Sequence, residues 1–160
     1  MVKNSKNLLI KFIFFVSIIA LVSAFFIEYV LGHQPCNLCV LERIPYLLAI
    51  IIVFLNYKYI LFEKFFILLL TIIFLVSAAL SIYHLGIEQG FIQESLVCDL
   101  KRGSNLLSKE EILKQLQEKS VSCKDVTFKM FGLSLTSYNI LISLLITFSA
   151  GKIYFNYEKN

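Results

Sequence analysis

The sequence predicts an all-α integral membrane protein: a four-transmembrane-helix bundle with a long loop between helices 3 and 4 that carries a short amphipathic helix. Two observations lead there. Of 160 residues, 58% are hydrophobic and only 16% charged, with a mean hydropathy of +0.78, well below the roughly 25% charge of soluble domains. The apolar excess is also gathered into four runs long enough to cross a hydrocarbon core about 30 Å thick. The net charge of +4 is dispersed along the chain. No basic patch is interleaved with aromatics and no nucleic-acid motif occurs, so the expected surroundings are a lipid bilayer and no nucleic acid.

Lys3, Lys6 and Lys11 precede a stretch from Phe12 to Ile27 that has no charge. Lys11 and Glu28 can snorkel from its ends, giving a first span of about residues 8–31. The alternative is a cleavable signal peptide cut near Val22-Ser23-Ala24, but the run continues through Phe25, Phe26 and Ile27 and is long for a signal h-region. Ile44 to Leu55 is again apolar. Pro45 suits the first turn of a helix, and Tyr57, Lys58 and Tyr59 read as an interfacial belt, so the second span is placed at about 40–59. Glu63 and Lys64 make a tight turn, and the third span runs over 65–84, closing at His84. The fourth covers 132–154. There Ser143, Thr147 and Gly151 recur every fourth residue, a row that lets a neighbouring helix come close.

Leu85 to Lys129 differs in character, with seven Lys/Arg and seven Asp/Glu. Ser108-Lys109-Glu110-Glu111 has capping-box form, and Ile112, Leu113 and Leu116 then share one helical face, as in an amphipathic helix lying on the bilayer or on its own loop. With no internal repeat or linker, residues 1–160 read as a single membrane domain with water-facing loops at about 32–39 and 85–131.

Four spans place the first and third loops on one side. Cys36, Cys39, Cys98 and Cys123 therefore share a compartment whichever way the chain is inserted. The Lys/Arg count is seven on the side of the termini and eight on the loop side, which decides nothing. The first helix has lysines only before or just inside it, which favours cytoplasmic termini and cysteines outside. In a bacterium that means the periplasm, where disulfides persist.

Within Gln34-Pro35-Cys36-Asn37-Leu38-Cys39-Val40-Leu41-Glu42-Arg43, a Cys-x-x-Cys pair can close a disulfide ring or offer two thiolates. Cys39 falls where the second helix begins, so unpaired N–H groups and the helix dipole favour its thiolate. Arg43, one turn on, can set a guanidinium beside that sulfur. Cys39 is thus expected to be the buried, electron-donating thiolate, and Cys36 the exchange partner nearer water. A Cys98–Cys123 disulfide would close about 25 residues, worth roughly 3 kcal/mol by chain entropy; it is either a staple or a bridge open to attack by a thiolate. A metal site is not expected, because Cys98 and Cys123 lack the two-close-pairs spacing of four-cysteine zinc sites. Val40 after Cys39 excludes the haem attachment motif. His84 reads either as an interfacial histidine or as a contact for a lipid-soluble cofactor; His33 reads as incidental and Glu88 as solvated. Competing functions at this point are a membrane protein with static disulfides and a thiolate metal-handling protein.

The chain resembles the disulfide bond formation protein B (DsbB) family of bacterial inner-membrane thiol oxidases. The likeness lies in the segment from Gln34 to Arg43, in Tyr83-His84-Leu85-Gly86-Ile87-Glu88-Gln89-Gly90, in one cysteine on each side of the loop helix, and in Phe131 to Asn139. The resemblance implies a thiol:quinone oxidoreductase whose redox-active residues are Cys36, Cys39, Cys98 and Cys123. A DsbA-like periplasmic thioredoxin-fold protein would attack Cys98, Cys123 would exchange with Cys36, and Cys39 would donate to a ubiquinone or menaquinone from the membrane pool, with Arg43 and His84 near the ring. A reductase running electrons outward, like vitamin K epoxide reductase relatives, fits the cysteine–Arg43 arrangement less well.

Overall fold

A computed structural model of the chain describes residues 2–93, 98, 122–124, 128–130 and 132–158. Among these, α1 (Val2–Tyr29), α2 (Asn37–Leu41), α3 (Ile44–Lys58), a 3₁₀ turn (Ile60–Phe62), α4 (Glu63–Glu88), strands β1 (Lys129–Met130) and β2 (Leu133–Ser134), and α5 (Leu135–Glu158) follow one another. Four stretches are long and apolar enough to span a bilayer: Asn7–Tyr29, Asn37–Lys58, Glu63–Glu88 and Leu135–Asn156. The protein is a multi-pass membrane protein with a four-helix bundle. Phe15, Ile19, Phe54, Leu75 and Phe148 stand exposed on its outside, as a surface bathed in lipid allows.

Four features of the spans depart from the sequence reading. The second span is broken at Glu42–Arg43 into α2 and α3, because Cys36 starts a short helix of its own by accepting the Cys39 N–H at 3.2 Å. The third continues one turn past His84 to Glu88, since burial of Ile87 on its inner face extends the amphipathic pattern. It stops at Gly90, whose φ of 78° suits glycine. The fourth begins at Leu135 after a two-stranded hairpin turning on Gly132, φ 82°. Glu63–Lys64 opens α4 rather than forming the turn, which falls instead on the 3₁₀ residues. The amphipathic helix expected near Ser108–Leu116 lies outside the described residues.

The centre of the bundle is Ile13, Tyr46, Ala49, Ile52, Leu70, Phe74 and Ile146, with the Tyr46 and Phe74 rings edge to face at 5.6 Å. The most extensive helix pairing is α4 with α5. Small side chains let them approach: Ser77 and Ser143 hydroxyls meet at 3.1 Å, and a Cβ on Gly151 would lie 3.7 Å from Thr71 Cγ2. Asn139 ties three helices, donating to Ser81 Oγ at 2.7 Å while its Oδ1 accepts from the hydroxyls of Tyr46 and Ser143. Thr147, the middle of the small-residue row, turns its hydroxyl to the Ser143 carbonyl of its own helix.

Candidate redox site

A second cluster forms where α2 meets the end of α4. It contains Cys36, Leu38, Ile87, Cys98 and Cys123, with Cys39, Leu41 and Tyr83 against it. Cys98 and Cys123 form a disulfide with Cα atoms 6.0 Å apart, closing a separation of 25 residues. Asn37 Nδ2 donates to the Cys98 carbonyl at 3.1 Å, pinning the bridge to the start of α2. Cys36 and Cys39 are free thiols. The fold thus gathers all four cysteines at one end of the bundle, across a separation of more than 80 residues that sequence spacing alone leaves open.

The expected order of the first pair is reversed in burial. Cys36 is 5% exposed, while Cys39 is half-buried. Cys36 sits at the helix N-cap and is covered by the second disulfide, so it, and not Cys39, receives the helix-start N–H. The hydrogen bond from the Cys39 thiol, with those from His84 and its charge, outweighs burial and lowers the Cys36 thiol to about 5.

His84 is 1% exposed and sits at the centre of a polar cluster. Its Nε2 lies 3.5 Å from Cys36 Sγ, and its Nδ1 lies 3.0 Å from Glu42 Oε1 and 3.2 Å from Thr136 Oγ1. Thr136 donates to Glu88 Oε1 at 2.6 Å, and that oxygen is 3.8 Å from His84 Nε2. The Glu88 side chain is 6% exposed here, enclosed and not solvated. It lies four residues after His84 on the same helical face, which extending the third helix by one turn would have revealed. Glu42, expected to pair with Arg43, and Thr136 were not linked to His84 from the sequence, because those contacts span separations of 42 and 52 residues.

Arg43 is not placed against Cys39 by any described hydrogen bond. Its Nη1 donates to Glu28 Oε2 of α1, and its guanidinium lies over the Phe25 ring at 5.2 Å. Glu42 accordingly serves His84 and leaves Arg43 to Glu28. His33, read as incidental, packs edge to face on Phe128 at 5.4 Å and joins the first and third loops.

A cavity of about 480 Å³ opens beside these groups. Its walls are apolar side chains of α1 and α5, including Phe12, Val16, Ile19, Ala24, Ile142 and Leu145; its polar end holds Cys36, Cys39, Arg43, Tyr46, His84, Glu88 and Asn139. An apolar body with a polar tip is the ligand shape this admits, and the volume lies within the ordinary 300–1,000 Å³ range for small-molecule sites.

Membrane-crossing helices carrying a Cys-x-x-Cys packed on a second cysteine bridge define a membrane thiol–disulfide protein. The chain matches the family described as Disulfide bond formation protein DsbB over residues 6–152, and it belongs to that family. It is also 35% identical over 147 residues to an uncharacterized protein of Rickettsia prowazekii (strain Madrid E), covering 91% of this chain and 86% of that one. No solved structure matches it. Membership gives disulfide oxidoreductase chemistry, in general terms, in a membrane setting.

Proposed function

We propose that the protein acts as one membrane domain, residues 1–160, that re-oxidises a periplasmic DsbA-like thioredoxin-fold dithiol and passes two electrons to a membrane quinone. The observation that carries this reading is the packing of the Cys98–Cys123 disulfide on Cys36, at the mouth of an apolar cavity that Cys39 also lines. The bridge, buried in this cluster with Cys98 7% and Cys123 2% exposed, is thereby joined by sulfur contacts to a cavity walled by apolar side chains.

In this reading the termini are cytoplasmic and the cysteines periplasmic in a bacterial inner membrane. The partner's thiolate attacks Cys98, and Cys123 leaves as a thiol. Cys123 then attacks Cys36 of an oxidised Cys36–Cys39 pair, expelling Cys39 as thiolate; the partner's second thiol attacks the partner–Cys98 bond and frees Cys98, which attacks Cys123, re-forming the Cys98–Cys123 bridge and releasing Cys36 as thiolate. Stabilising the Cys36 thiolate favours the reduced form of its pair, which makes the corresponding disulfide the stronger oxidant and draws electrons toward the membrane. The cavity's apolar walls fit a lipid-soluble ring and tail, and Arg43, with His84 behind Cys36, would hold its polar end. A bound quinone, ubiquinone or menaquinone, supplies the acceptor for the two electrons and two protons released when the Cys36–Cys39 disulfide closes. Tyr46 and Asn139 keep their own hydrogen bonds at the rim.

The test is direct. The full chain in detergent is mixed with a quinone and a reduced periplasmic thioredoxin-fold protein, and quinone absorbance is followed. Stoichiometric quinol formation, one per partner disulfide made, is expected; its absence with a folded protein overturns the reading.

A further inference from the structure

The spacing of the four cysteines argues against a four-thiolate metal site, but the fold supplies different companions for the first pair. Cys36 Sγ, Cys39 Sγ and a His84 ring nitrogen lie within 4.8 Å of one another. We propose that, when Cys36 and Cys39 are reduced, these three atoms bind a thiophilic divalent cation of the zinc type, its fourth position left to solvent or a ligand from the cavity.

Distances between the donors carry much of the argument. In a tetrahedral zinc site with nitrogen at about 2.0 Å and sulfur at about 2.3 Å, a nitrogen and a sulfur ligand stand roughly 3.5 Å apart. Cys36 Sγ and His84 Nε2 stand 3.5 Å apart here. Glu88 Oε1, 3.8 Å from His84 Nε2, borders this set of three donors without belonging to it.

The surroundings supply what a bare donor cluster lacks. The other histidine nitrogen, Nδ1, faces Glu42 Oε1 at 3.0 Å. That carboxylate–histidine pairing fixes the tautomer that leaves Nε2 to bind. Thr136 Oγ1 donates to Glu88 Oε1 and orients the carboxylate. The Glu88 side chain is 6% exposed, and its Oε2 is buried without a hydrogen-bond partner among the described residues, a costly state for a carboxylate oxygen. A cation held by the two sulfurs and His84 would ease that deficit by its charge. The nearby guanidinium of Arg43 is engaged with Glu28, so it does not neutralise the two carboxylates and the sulfurs. Entry is through the cavity, which Cys36, Cys39, His84 and Glu88 all line.

The site exists in one redox state. Binding takes the proton from any sulfur still protonated and gives each a bond to the metal; once the two sulfurs are joined to each other, neither thiolate remains. A bound cation therefore holds the pair reduced and keeps its disulfide from forming. The binding itself stands without the oxidase reading.

Cobalt(II) is the probe. The full chain in detergent is reduced, freed of reductant without air, and titrated while thiolate-to-cobalt charge-transfer and ligand-field absorption are recorded. Expected are bands saturating at one cobalt per chain, absent from the same preparation after oxidation and displaced by zinc. Reduction also opens Cys98–Cys123, so the C98S/C123S double variant must keep the bands. Glu42→Ala should retain their positions and weaken affinity about 10–100-fold, whereas His84→Ala should lose the four-coordinate spectrum. Bands missing from reduced wild type, lost in C98S/C123S, or unchanged in position and affinity in His84→Ala would overturn the proposal. Comparing oxidised and reduced wild type in one preparation keeps the result independent of any variant that folds poorly. A protein that fails to reduce quinone but gives these spectra sinks the oxidase reading alone; the reverse pattern sinks the metal site alone.

Discussion

The two long seams of the bundle are built in opposite ways. Along α4 and α5, small and polar residues mesh: Ser77 with Ser143, Ser81 with Asn139, Gly151 against Thr71. Along α1 and α5, bulky apolar residues stand apart around a cavity of about 480 Å³. In lipid there is no hydrophobic gain from bringing two helices together, so close packing and hydrogen bonds decide which seams shut. Ser17, buried on α1, has no hydrogen-bond partner for its hydroxyl among the described residues. The closed seam is scaffold and holds His84 and Thr136 in register; the open seam is where a ligand enters.

The largest effects should come from sulfurs at the mouth of the open seam. Cys36→Ser or Cys39→Ser is expected to abolish quinone reduction. Cys98→Ser should stop partner oxidation while added quinone still re-forms the Cys36–Cys39 disulfide, measured by thiol labelling. Normal partner oxidation by Cys98→Ser would show that the exchange begins elsewhere.

The next pair sets one seam against the other. Asn139→Leu takes from the buried Tyr46 hydroxyl the amide oxygen it donates to, at about 1–3 kcal/mol, so thermal unfolding in detergent should move down by several degrees. Ala24→Phe fills the cavity from α1; it should raise the KM for quinone about tenfold, a loss of about 1.4 kcal/mol, with unfolding nearly unchanged. The reverse pattern, with Ala24→Phe destabilising and Asn139→Leu altering only KM, would erase the distinction between scaffold and entrance. Arg43→Ala removes a cation at the polar end and an ion pair to α1, and should also raise quinone KM; unchanged quinone kinetics would take Arg43 out of the site.

How far the sequence reads these seams follows from the range of the forces involved. Hydropathy over about 20 residues marks each span, because every backbone group in lipid must be satisfied within its own helix. The Ser143–Thr147–Gly151 row announces a close approach, and two of its three members face α4. What stays hidden is pairing across the bundle. Nothing near Glu42 in the chain says that it will meet His84 instead of Arg43, its immediate neighbour. Nothing local to Cys36 says that the helix will begin at that residue, which moves the capping N–H from the expected sulfur to the other. Glu88 was within reach: at helical spacing from His84, it needed only a helix end drawn one turn later.

The smallest effect, and the one that separates the two sulfurs, is in pH. With its thiol lowered from 9.0 to about 5, Cys36 is a thiolate in the folded, reduced protein through the range where an unfolded cysteine is protonated. The sign follows from linkage: a depressed folded pKa contributes stability that is complete above the unfolded value and disappears as pH falls through the folded one. Reduced protein should therefore lose this increment between about pH 9 and pH 5. Alkylation of Cys36, mapped by mass spectrometry, should show a midpoint near pH 5 even though burial makes it slow. Truncating His84 removes one of the lowering contacts, so His84→Ala should shift that midpoint upward. A midpoint near 9 in wild type would return the helix-start thiolate to Cys39.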